Sequence, residues 1–291
     1  RAFDPARDYV ICANILGSCY GTTGPVSIKP GTAERYRADF PRISVRDMVE
    51  LERTLLDELD VRFVELVTGP SLGGMQALEW ALMYPERIGS IVPIGVGGRH
   101  SPWCIGISEA QRAAIAADPN WNGGFYSDDA TPDKGLAAAR MMAICTYRSW
   151  QSFNERFGRE RRDDDLYQVQ SYLRHQGAKI NERFDANTYV TLTQAMHTHD
   201  LGRGRGPYEE ALARIAQPAL VVSVSSDVLY PPEEQRLLAD HLPNAQYEIL
   251  DCPHGHDGFL IETETLGAMI TRFRERCVER ARPRAVSSGN E

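Results

Sequence analysis

Five short apolar runs, separated by polar or helix-like stretches, set the pattern of the chain. They occupy residues 8–14, 63–67, 88–95, 218–224 and 246–250. A continuous apolar run of this length, bounded by turn residues, indicates a strand that is buried on both faces. Because helical patterns separate most of these runs, the sequence predicts an α/β fold whose mostly parallel sheet is covered by helices on both faces.

Helical periodicity predicts the elements that flank these strands. A helix is expected over 44–59, opened by Ser44, since apolar side chains recur there at helical spacing. A second helix-like run covers 75–83, directly after the second apolar run. Two more helices are expected late in the chain, one through Leu238 and a final one to about Arg280.

The middle of the chain has a different pattern, without a clear buried strand. Its helical stretches lie at 107–116, 134–147, 166–174 and 187–197. We therefore predict that this part is a helical lid inserted into the α/β core.

The resulting domain organisation has three parts. The predicted core comprises 1–102 and 215–282, and the predicted lid comprises 103–214. Within the lid, the charged patch at 159–165 is predicted to be a solvated loop. The polar tail, 283–291, is predicted to be disordered.

A serine between two glycines follows the second apolar run. The stretch Gly69-Pro70-Ser71-Leu72-Gly73 lies between a predicted strand and a predicted helix, which is the context of a nucleophile elbow. The N–H of Leu72, at the N-terminus of that helix, would supply one donor to an oxyanion. The alternative interpretation is a glycine-rich turn with a capping serine.

Two later residues complete a catalytic pattern. In proteins with such an elbow, the serine is followed along the chain by an acid and then by a histidine, each after a later strand. Here Asp227 follows the fourth apolar run and His256 follows the fifth. We prefer His256 to His254 because glycines flank the His256-Asp257 pair and would let it reach inward. No set of residues has the spacing of a metal site, so no metal is predicted.

Composition limits the choice of partners and compartment. The formal net charge is −8, with 32 basic and 40 acidic residues, which argues against a nucleic-acid partner. No apolar run approaches the roughly 20 residues of a membrane span, so no membrane partner is expected. The six cysteines are scattered without a metal-type spacing and are expected to be free thiols in a cytoplasmic protein.

Distinctive motifs occur from residue 14 to residue 260. They are NILGSCYGTTGP at 14–25, FPRISVRDMV at 40–49, GGMQALEW at 73–80, DPNWNGG at 118–124, SYL at 171–173, RFDAN at 183–187 and GHDGFL at 255–260. With these motifs the chain resembles the homoserine O-acetyltransferase family, which consists of acyl-CoA-dependent enzymes of the α/β-hydrolase fold. The resemblance implies a cytoplasmic homodimer that acts on small molecules in methionine biosynthesis.

The resemblance also implies roles for particular residues. Ser71 would be the nucleophile, Asp227 the orienting acid and His256 the general base. Acetyl-CoA would be a co-substrate that acylates Ser71, with no cofactor bound permanently, and the hydroxyl of homoserine would then accept the acetyl group.

Three further residues match the substrate-binding positions of the family. Arg140 would bind the carboxylate of the amino acid, Asp257 would hold its ammonium group, and Tyr147 would be an active-site tyrosine. From the residues alone, Arg140 would be a helix-surface residue and Tyr147 a core aromatic.

The family pattern has strands before residue 9, and the loop after one of them supplies a second oxyanion donor. We therefore expect this chain to lack the first strands of the fold and that donor. Several alternatives stay open, namely a succinyl donor, a serine or antibiotic-precursor acceptor, a hydrolase, and a non-catalytic homologue.

Overall fold

A parallel sheet forms the centre of the computed structural model, which describes residues 2–281. The strands in chain order are β1 (Val67–Pro70), β2 (Ile91–Ile94), β3 (Arg161–Asp163), β4 (Leu166–Tyr167), β5 (Ala219–Val224) and β6 (Ala245–Leu250). In the sheet their order is β1-β2-β5-β6, and all three pairings are parallel. The carboxyl ends of these strands therefore meet at one edge, which is where open α/β sheets bind their ligands.

Helices account for most of the remaining described residues. They are α1 (Val45–Glu58), α2 (Leu72–Met83), α3 (Pro102–Ala116), α4 (Asp133–Tyr147), α5 (Trp150–Phe157), α6 (Gln168–Asn181), α7 (Ala186–His197), α8 (Tyr208–Ala213), α9 (Pro232–His241), α10 (Gly258–Ile261) and α11 (Thr263–Ala281). Short 3-10 turns occur at Arg37–Asp39, Pro85–Arg87, Asn122–Gly124 and Gly255–Asp257. The predicted α/β class with helices on both faces of a parallel sheet is confirmed.

The alternation of side chains along β5 divides the core into two layers. Ala219 and Val221 belong to the apolar cluster shared with α1, α2 and α9. Leu220, Val222 and Val224 belong to the cluster shared with α11. Because successive side chains of a strand point to opposite faces, a continuous apolar run is what a strand covered on both sides requires.

The predicted start of α1 at Ser44 is confirmed by a capping box. The Ser44 hydroxyl accepts a bond from the Asp47 backbone N–H, and the Asp47 carboxylate accepts one from the Ser44 backbone N–H. These reciprocal bonds satisfy backbone donors that an α-helix leaves unpaired at its N-terminus. The start of this helix could therefore be predicted from Ser44 and the residues that directly follow it.

The helix that follows the elbow is buried on all sides. Eight consecutive residues of α2, Gly74–Ala81, are buried, and they include the carboxylate of Glu79, which is 1% exposed. That carboxylate pairs with Arg46 at 3.1 Å and with Arg205 at 2.6 Å. Arg46 lies on α1, so its pair with Glu79 joins α2 to the neighbouring helix.

Replacing Glu79 by glutamine is expected to lower the free energy of unfolding by about 2 kcal/mol, because two arginines lose their counter-charge. This is below the cost of breaking a wholly buried pair, since the two arginine side chains are 25% and 12% exposed. Urea unfolding would measure it. The exposed Glu86 provides the control, because Glu86→Gln should change stability by less than about 0.5 kcal/mol. Equal effects of the two substitutions would contradict the proposed role of Glu79.

Between β2 and β5 the chain forms helices α3 to α8 and a small antiparallel hairpin of β3 and β4. Several of these helices share an apolar cluster of their own, centred on Ile115, Leu136, Ile180 and Tyr189. The patch at 159–165 is exposed, as expected, but it is not a loop, because β3 lies within it and pairs with β4. The strand was not predicted because its residues are polar and none of them packs against the core.

One predicted strand is wrong. Residues 8–14 have no regular secondary structure, and Tyr9 and Val10 are 74% and 56% exposed. Within residues 2–281 no strand pairs with this run, and an apolar segment without a hydrogen-bonding neighbour does not become a strand. The strand predicted at 63–67 is displaced, since β1 covers Val67–Pro70 and only a single bridge at Val64 precedes it. The predicted tail at 283–291 lies outside the described residues.

In the part of the chain that the structure describes, no helix is long and apolar enough to cross a membrane.

Candidate active site

Ser71 lies at the junction of β1 and α2 with a strained backbone. Its φ and ψ are 53° and −122°, which a residue with a side chain rarely adopts. Such a conformation at a strand-to-helix turn is typical of a nucleophile elbow. The side chain is half-buried and makes no capping bond to the helix, so the alternative of a capping serine is not supported.

Two glycines make this turn possible by close backbone approach. A Cβ on Gly69 would lie 2.6 Å from the carbonyl carbon of Gly73, and one on Gly74 would lie 2.6 Å from Val96. A Cβ on Gly73 itself would be in ordinary contact, at 3.7 Å. The steric requirement for glycine therefore falls on Gly69 and Gly74, whereas the motif alone would assign it to both glycines that flank the serine.

The end of β2 connects the elbow to the two later residues. The Ser71 N–H donates to the Ile94 carbonyl at 2.9 Å. The next residue, Gly95, has φ 55°, and a Cβ there would lie 3.5 Å from His256 Nδ1 and 3.6 Å from Asp227 Oδ2. Ser71 and the Asp227–His256 pair thus lie next to each other at the carboxyl edge of the sheet.

Asp227 and His256 form a short buried hydrogen bond. Their Oδ2 and Nδ1 atoms are 2.6 Å apart, and the residues are 4% and 3% exposed. The other carboxylate oxygen of Asp227 accepts the backbone N–H groups of Leu229 and Tyr230, at 2.8 and 3.0 Å. Because Nδ1 is used by Asp227, Nε2 is the ring nitrogen of His256 that can exchange a proton with a substrate or with Ser71.

The loop that carries His256 depends on Gly255. Its φ is 68°, and a Cβ would lie 2.6 Å from the Ser149 backbone nitrogen. Its N–H donates to the Ser226 hydroxyl at 2.9 Å. His254, the competing candidate, instead lies 3.7 Å from Glu262. The structure therefore brings His256 to Asp227 and leaves His254 with a different partner.

Three aromatic rings surround the imidazole of His256. The ring centroids of Tyr147, Tyr230 and Phe259 lie 5.9, 5.4 and 5.2 Å from that of His256. Burial raises the pKa of the Tyr147 hydroxyl, so this tyrosine stays protonated at neutral pH. The rings give the imidazole an apolar wall on several sides.

Arg140 reaches the same region from α4. Its guanidinium lies 5.5 Å from the centroid of the Tyr147 ring, and the residue is half-buried. Among residues 2–281 no carboxylate is within salt-bridge distance of Arg140, in contrast to many other arginines of the chain. A half-buried cation without a counter-ion, beside the Asp–His pair, is suited to bind a carboxylate.

Asp257 forms an ion pair that the sequence did not indicate. Its Oδ2 lies 3.2 Å from Arg148 Nε, and both side chains are mostly buried. Burial raises the pKa of Asp257, and the nearby cations Arg148 and Arg140 oppose that rise. Arg148 therefore holds the Asp257 carboxylate beside the preceding residue in the chain, His256.

The Leu72 N–H is placed as predicted, at the first position of α2. A backbone N–H there has no acceptor within the helix, and the helix dipole favours negative charge at that end.

Two histidines of the middle segment have structural partners. His197 Nε2 lies 3.3 Å from Arg112, and His199 Nε2 lies 3.0 Å from the Gly97 carbonyl. No group of three or more metal-binding side chains occurs within residues 2–281.

Sequence reasoning missed Arg148 and Tyr230. Arg148 directly follows Tyr147, and Tyr230 lies three residues after Asp227. Proximity to candidate residues was a weak signal for both, because adjacent positions in a chain often point in different directions.

Comparisons with known proteins agree with the observed fold. A family profile described as the alpha/beta hydrolase fold matches residues 2–262. Homoserine O-acetyltransferase of Chlorobaculum tepidum is 55% identical over 278 residues, covering 96% of this chain and 78% of that protein.

Two solved structures share the fold. The structure of esterase E22 has a TM-score of 0.81 at 27% identity, covering 87% of this chain and 72% of that chain. The structure of homoserine O-acetyltransferase from Bacillus anthracis has a TM-score of 0.82 at 24% identity, covering 88% of this chain and 71% of that chain. One structural relative is thus named as a hydrolase and the other as a transferase.

Proposed function

Because the chain belongs to the homoserine O-acetyltransferase family of the α/β-hydrolase fold, we propose that it transfers an acetyl group to the hydroxyl of L-homoserine, a step of methionine biosynthesis. The observation that carries the proposal is Arg140, a cation without a carboxylate partner in the described chain, beside the Asp227–His256 pair. A hydrolase that uses water needs no such group, whereas an amino-acid acceptor has a carboxylate to bind.

The first half-reaction acylates Ser71. Its hydroxyl oxygen attacks the thioester carbonyl of acetyl-CoA while His256 Nε2 takes the hydroxyl proton. The C–S bond then breaks, and His256 returns the proton to the departing sulfur of CoA. Asp227 holds the imidazole in the tautomer that accepts at Nε2 and stabilises the imidazolium that forms.

The second half-reaction transfers the acetyl group. His256 removes the proton of the homoserine hydroxyl, whose oxygen attacks the acyl carbon of the acetyl-Ser71 ester. The bond to Ser71 breaks, and Ser71 regains its proton from His256. In both steps the Leu72 N–H donates to the developing oxyanion, supported by the N-terminus of α2.

The acceptor is held at its two charged ends. Arg140 binds the carboxylate, and Asp257 binds the ammonium group while Arg148 fixes its orientation. The rings of Tyr147, Tyr230 and Phe259 keep water away from the imidazole, which favours the hydroxyl of homoserine over water as the nucleophile.

The release of CoA thiol tests this function directly. The purified protein would be incubated with acetyl-CoA, with and without homoserine, and thiol release would be followed with a chromogenic reagent. Release that depends on homoserine is expected. Parallel reactions with succinyl-CoA as donor and serine as acceptor would test the alternatives within acyl transfer. No release with any pair would favour a non-catalytic homologue.

Ester hydrolysis is the second candidate function, because the structure of esterase E22 is similar over most of the chain. The same assay distinguishes the two functions. Thiol release at the same rate without homoserine, or hydrolysis of an acetyl ester that homoserine does not accelerate, would favour the hydrolase.

Replacing Arg140 by glutamine is expected to lower kcat/KM for homoserine by about 10- to 100-fold, because a charge-assisted bond to the carboxylate is lost. Acylation of Ser71 by acetyl-CoA should be unchanged, since homoserine takes no part in it. Rapid-mixing measurements of each half-reaction would separate the two effects.

Arg156 provides a matched control for this substitution. It is also stacked on an aromatic ring, at 4.6 Å from the Tyr172 centroid, but it lies on α5 and is exposed. Arg156→Gln should leave both half-reactions unchanged. An Arg140→Gln protein that slows acylation as much as acetyl transfer would contradict the role of Arg140 in acceptor binding.

We further propose that the protein is a cytoplasmic homodimer whose partners are small molecules. Free thiols at Cys12, Cys19, Cys104, Cys145 and Cys252 support a reducing compartment. The family resemblance supports the dimer, and Trp150, which is 79% exposed on α5, offers an apolar contact. Analytical ultracentrifugation of the wild type would measure the oligomeric state.

A further inference from the structure

Tyr230 contacts both members of the Asp–His pair. Its backbone N–H donates to Asp227 Oδ1 at 3.0 Å, and its ring packs against the His256 ring with centroids 5.4 Å apart. The residue is 1% exposed, so its orientation is set by neighbours and not by solvent. The third contact is made by the hydroxyl, which lies 3.1 Å from His100 Nδ1.

Both partners of that hydrogen bond are uncharged. Burial, together with His197, His199 and Arg112 nearby, lowers the pKa of His100 to about 3. Burial raises the pKa of Tyr230, so its hydroxyl keeps its proton and pairs with a neutral imidazole. The hydroxyl donates when His100 carries its proton on Nε2 and accepts when the proton is on Nδ1, and the bond joins the two side chains in either case.

The backbone fixes the position of His100 in turn. Its N–H donates to the His199 carbonyl at 2.8 Å, and its ring lies 5.6 Å from that of His197. His100 follows β2 by only a few residues, and His199 follows α7. The imidazole therefore connects the middle helices to the edge of the sheet where Ser71 lies.

We propose that Tyr230 and His100 are positioning residues for the proposed acyl transfer, in which the His100–Tyr230 hydrogen bond holds the tyrosine ring against His256. Without the bond the Tyr230 ring can move away from His256, and the imidazole loses one of the aromatic rings that pack against it. A displacement of about 1 Å at a reacting group can lower a rate by as much as 100-fold. Because His256 moves the proton in both half-reactions, the proposal requires both to slow by the same factor.

The test uses three variants that separate the hydrogen bond from packing. Tyr230→Phe removes the hydroxyl alone, His100→Leu removes its partner, and His100→Asn places a polar amide near the position of Nδ1. We expect Tyr230→Phe and His100→Leu to slow acylation and acetyl transfer about 10-fold each, with KM for homoserine unchanged. His100→Asn should recover most of the wild-type rate.

Acylation is measured independently of CoA and homoserine, as the burst of nitrophenol from p-nitrophenyl acetate. The burst therefore still reports on His256 if the wild type shows no homoserine-dependent thiol release, a result that would overturn the proposed function alone. Tyr126→Phe is the matched control, since this buried tyrosine also donates its hydroxyl to a side chain, that of Asp185, and lies outside the site. It should leave the burst rate unchanged.

Three outcomes would overturn the positioning role. The first is a burst rate for Tyr230→Phe equal to that of the wild type. The second is an equal loss in His100→Asn and His100→Leu, which would make packing and not the hydrogen bond responsible. The third is a slowing of only one half-reaction, which would assign the residues to binding of one substrate.

Discussion

Replacing Ser71 by alanine is expected to lower the rate of thiol release from acetyl-CoA by about a million-fold, to the level set by binding and the oxyanion donor alone. The hydroxyl is the only group in the proposed mechanism that forms a bond to the acyl carbon in the first step. The Asp227–His256 hydrogen bond does not involve Ser71, so the pair remains intact in the variant. The imidazole then has no serine hydroxyl from which to accept a proton. Mass spectrometry of the protein after incubation with acetyl-CoA would detect the acyl-enzyme.

The control for this substitution is Ser90→Ala. Ser90 is more deeply buried than Ser71, and its hydroxyl donates to the Glu65 carbonyl, but it precedes β2 and so lies at the opposite edge of the sheet. Its loss should cost about 1 kcal/mol of stability without changing the rate. A trapped acetyl group on the Ser71→Ala protein would assign the nucleophile to another residue.

The backbone strain at Ser71 gives a second readout. Replacing Ser71 by glycine should relieve that strain and raise the melting temperature of the protein while abolishing its activity.

The elbow and the order of its partners could be predicted because each signal is local. Gly69 and Ser71 lie within five residues, and Asp227 and His256 each follow an apolar run that the structure confirms as β5 and β6. Parallel strands place their carboxyl ends together, so the sheet brings these residues to one edge without further information.

The parts that the sequence did not predict depend on non-local contacts. The Arg148–Asp257 pair joins positions 109 residues apart (257 − 148), and nothing in either local pattern indicates the other. The apolar run at 8–14 forms a strand only if a neighbouring strand pairs with it, and the local amino-acid pattern does not show whether such a strand is present. The hairpin of β3 and β4 was missed because β3 consists of exposed charged residues, Arg161–Asp163, which lack the apolar pattern of a buried strand.

The distribution of charge explains how an acidic protein can bind an anionic group. The net charge of −8 sums every acid and base of the chain, so it says little about the charge at the site itself. Locally, Arg140 and Arg148 accompany a single acid, Asp257, and one of these cations remains available. In the proposed function, the carboxylate of the amino acid would therefore meet a positive field at the site, and its ammonium group would meet Asp257.

Replacing Asp227 by asparagine is expected to lower kcat by about ten-thousand-fold while leaving the fold intact. Asparagine keeps an oxygen to accept the N–H groups of Leu229 and Tyr230, so its amide nitrogen faces His256 Nδ1. That nitrogen donates, so Nδ1 must accept and the proton of the imidazole moves to Nε2. His256 then holds a proton where it needs a lone pair, and it cannot activate Ser71 or the homoserine hydroxyl.

Asp118 is the matched control for the Asp227 substitution. It too is a buried aspartate that accepts two backbone N–H groups, from Asn120 and Gly135 at 2.9 and 2.7 Å, but no histidine is bonded to it. Asp118→Asn should lower stability at least as much as Asp227→Asn does, because the two N–H groups bond to different oxygens of Asp118 and the new amide nitrogen would face one of them; kcat should stay near that of the wild type. Steady-state kinetics and urea unfolding of both variants would measure the two effects separately. An equal loss of activity in the two proteins would mean that Asp227 contributes only to the stability of the buried structure and does not set the tautomer of His256. A loss confined to Asp227→Asn would identify its carboxylate as the group that determines which nitrogen of His256 accepts the proton.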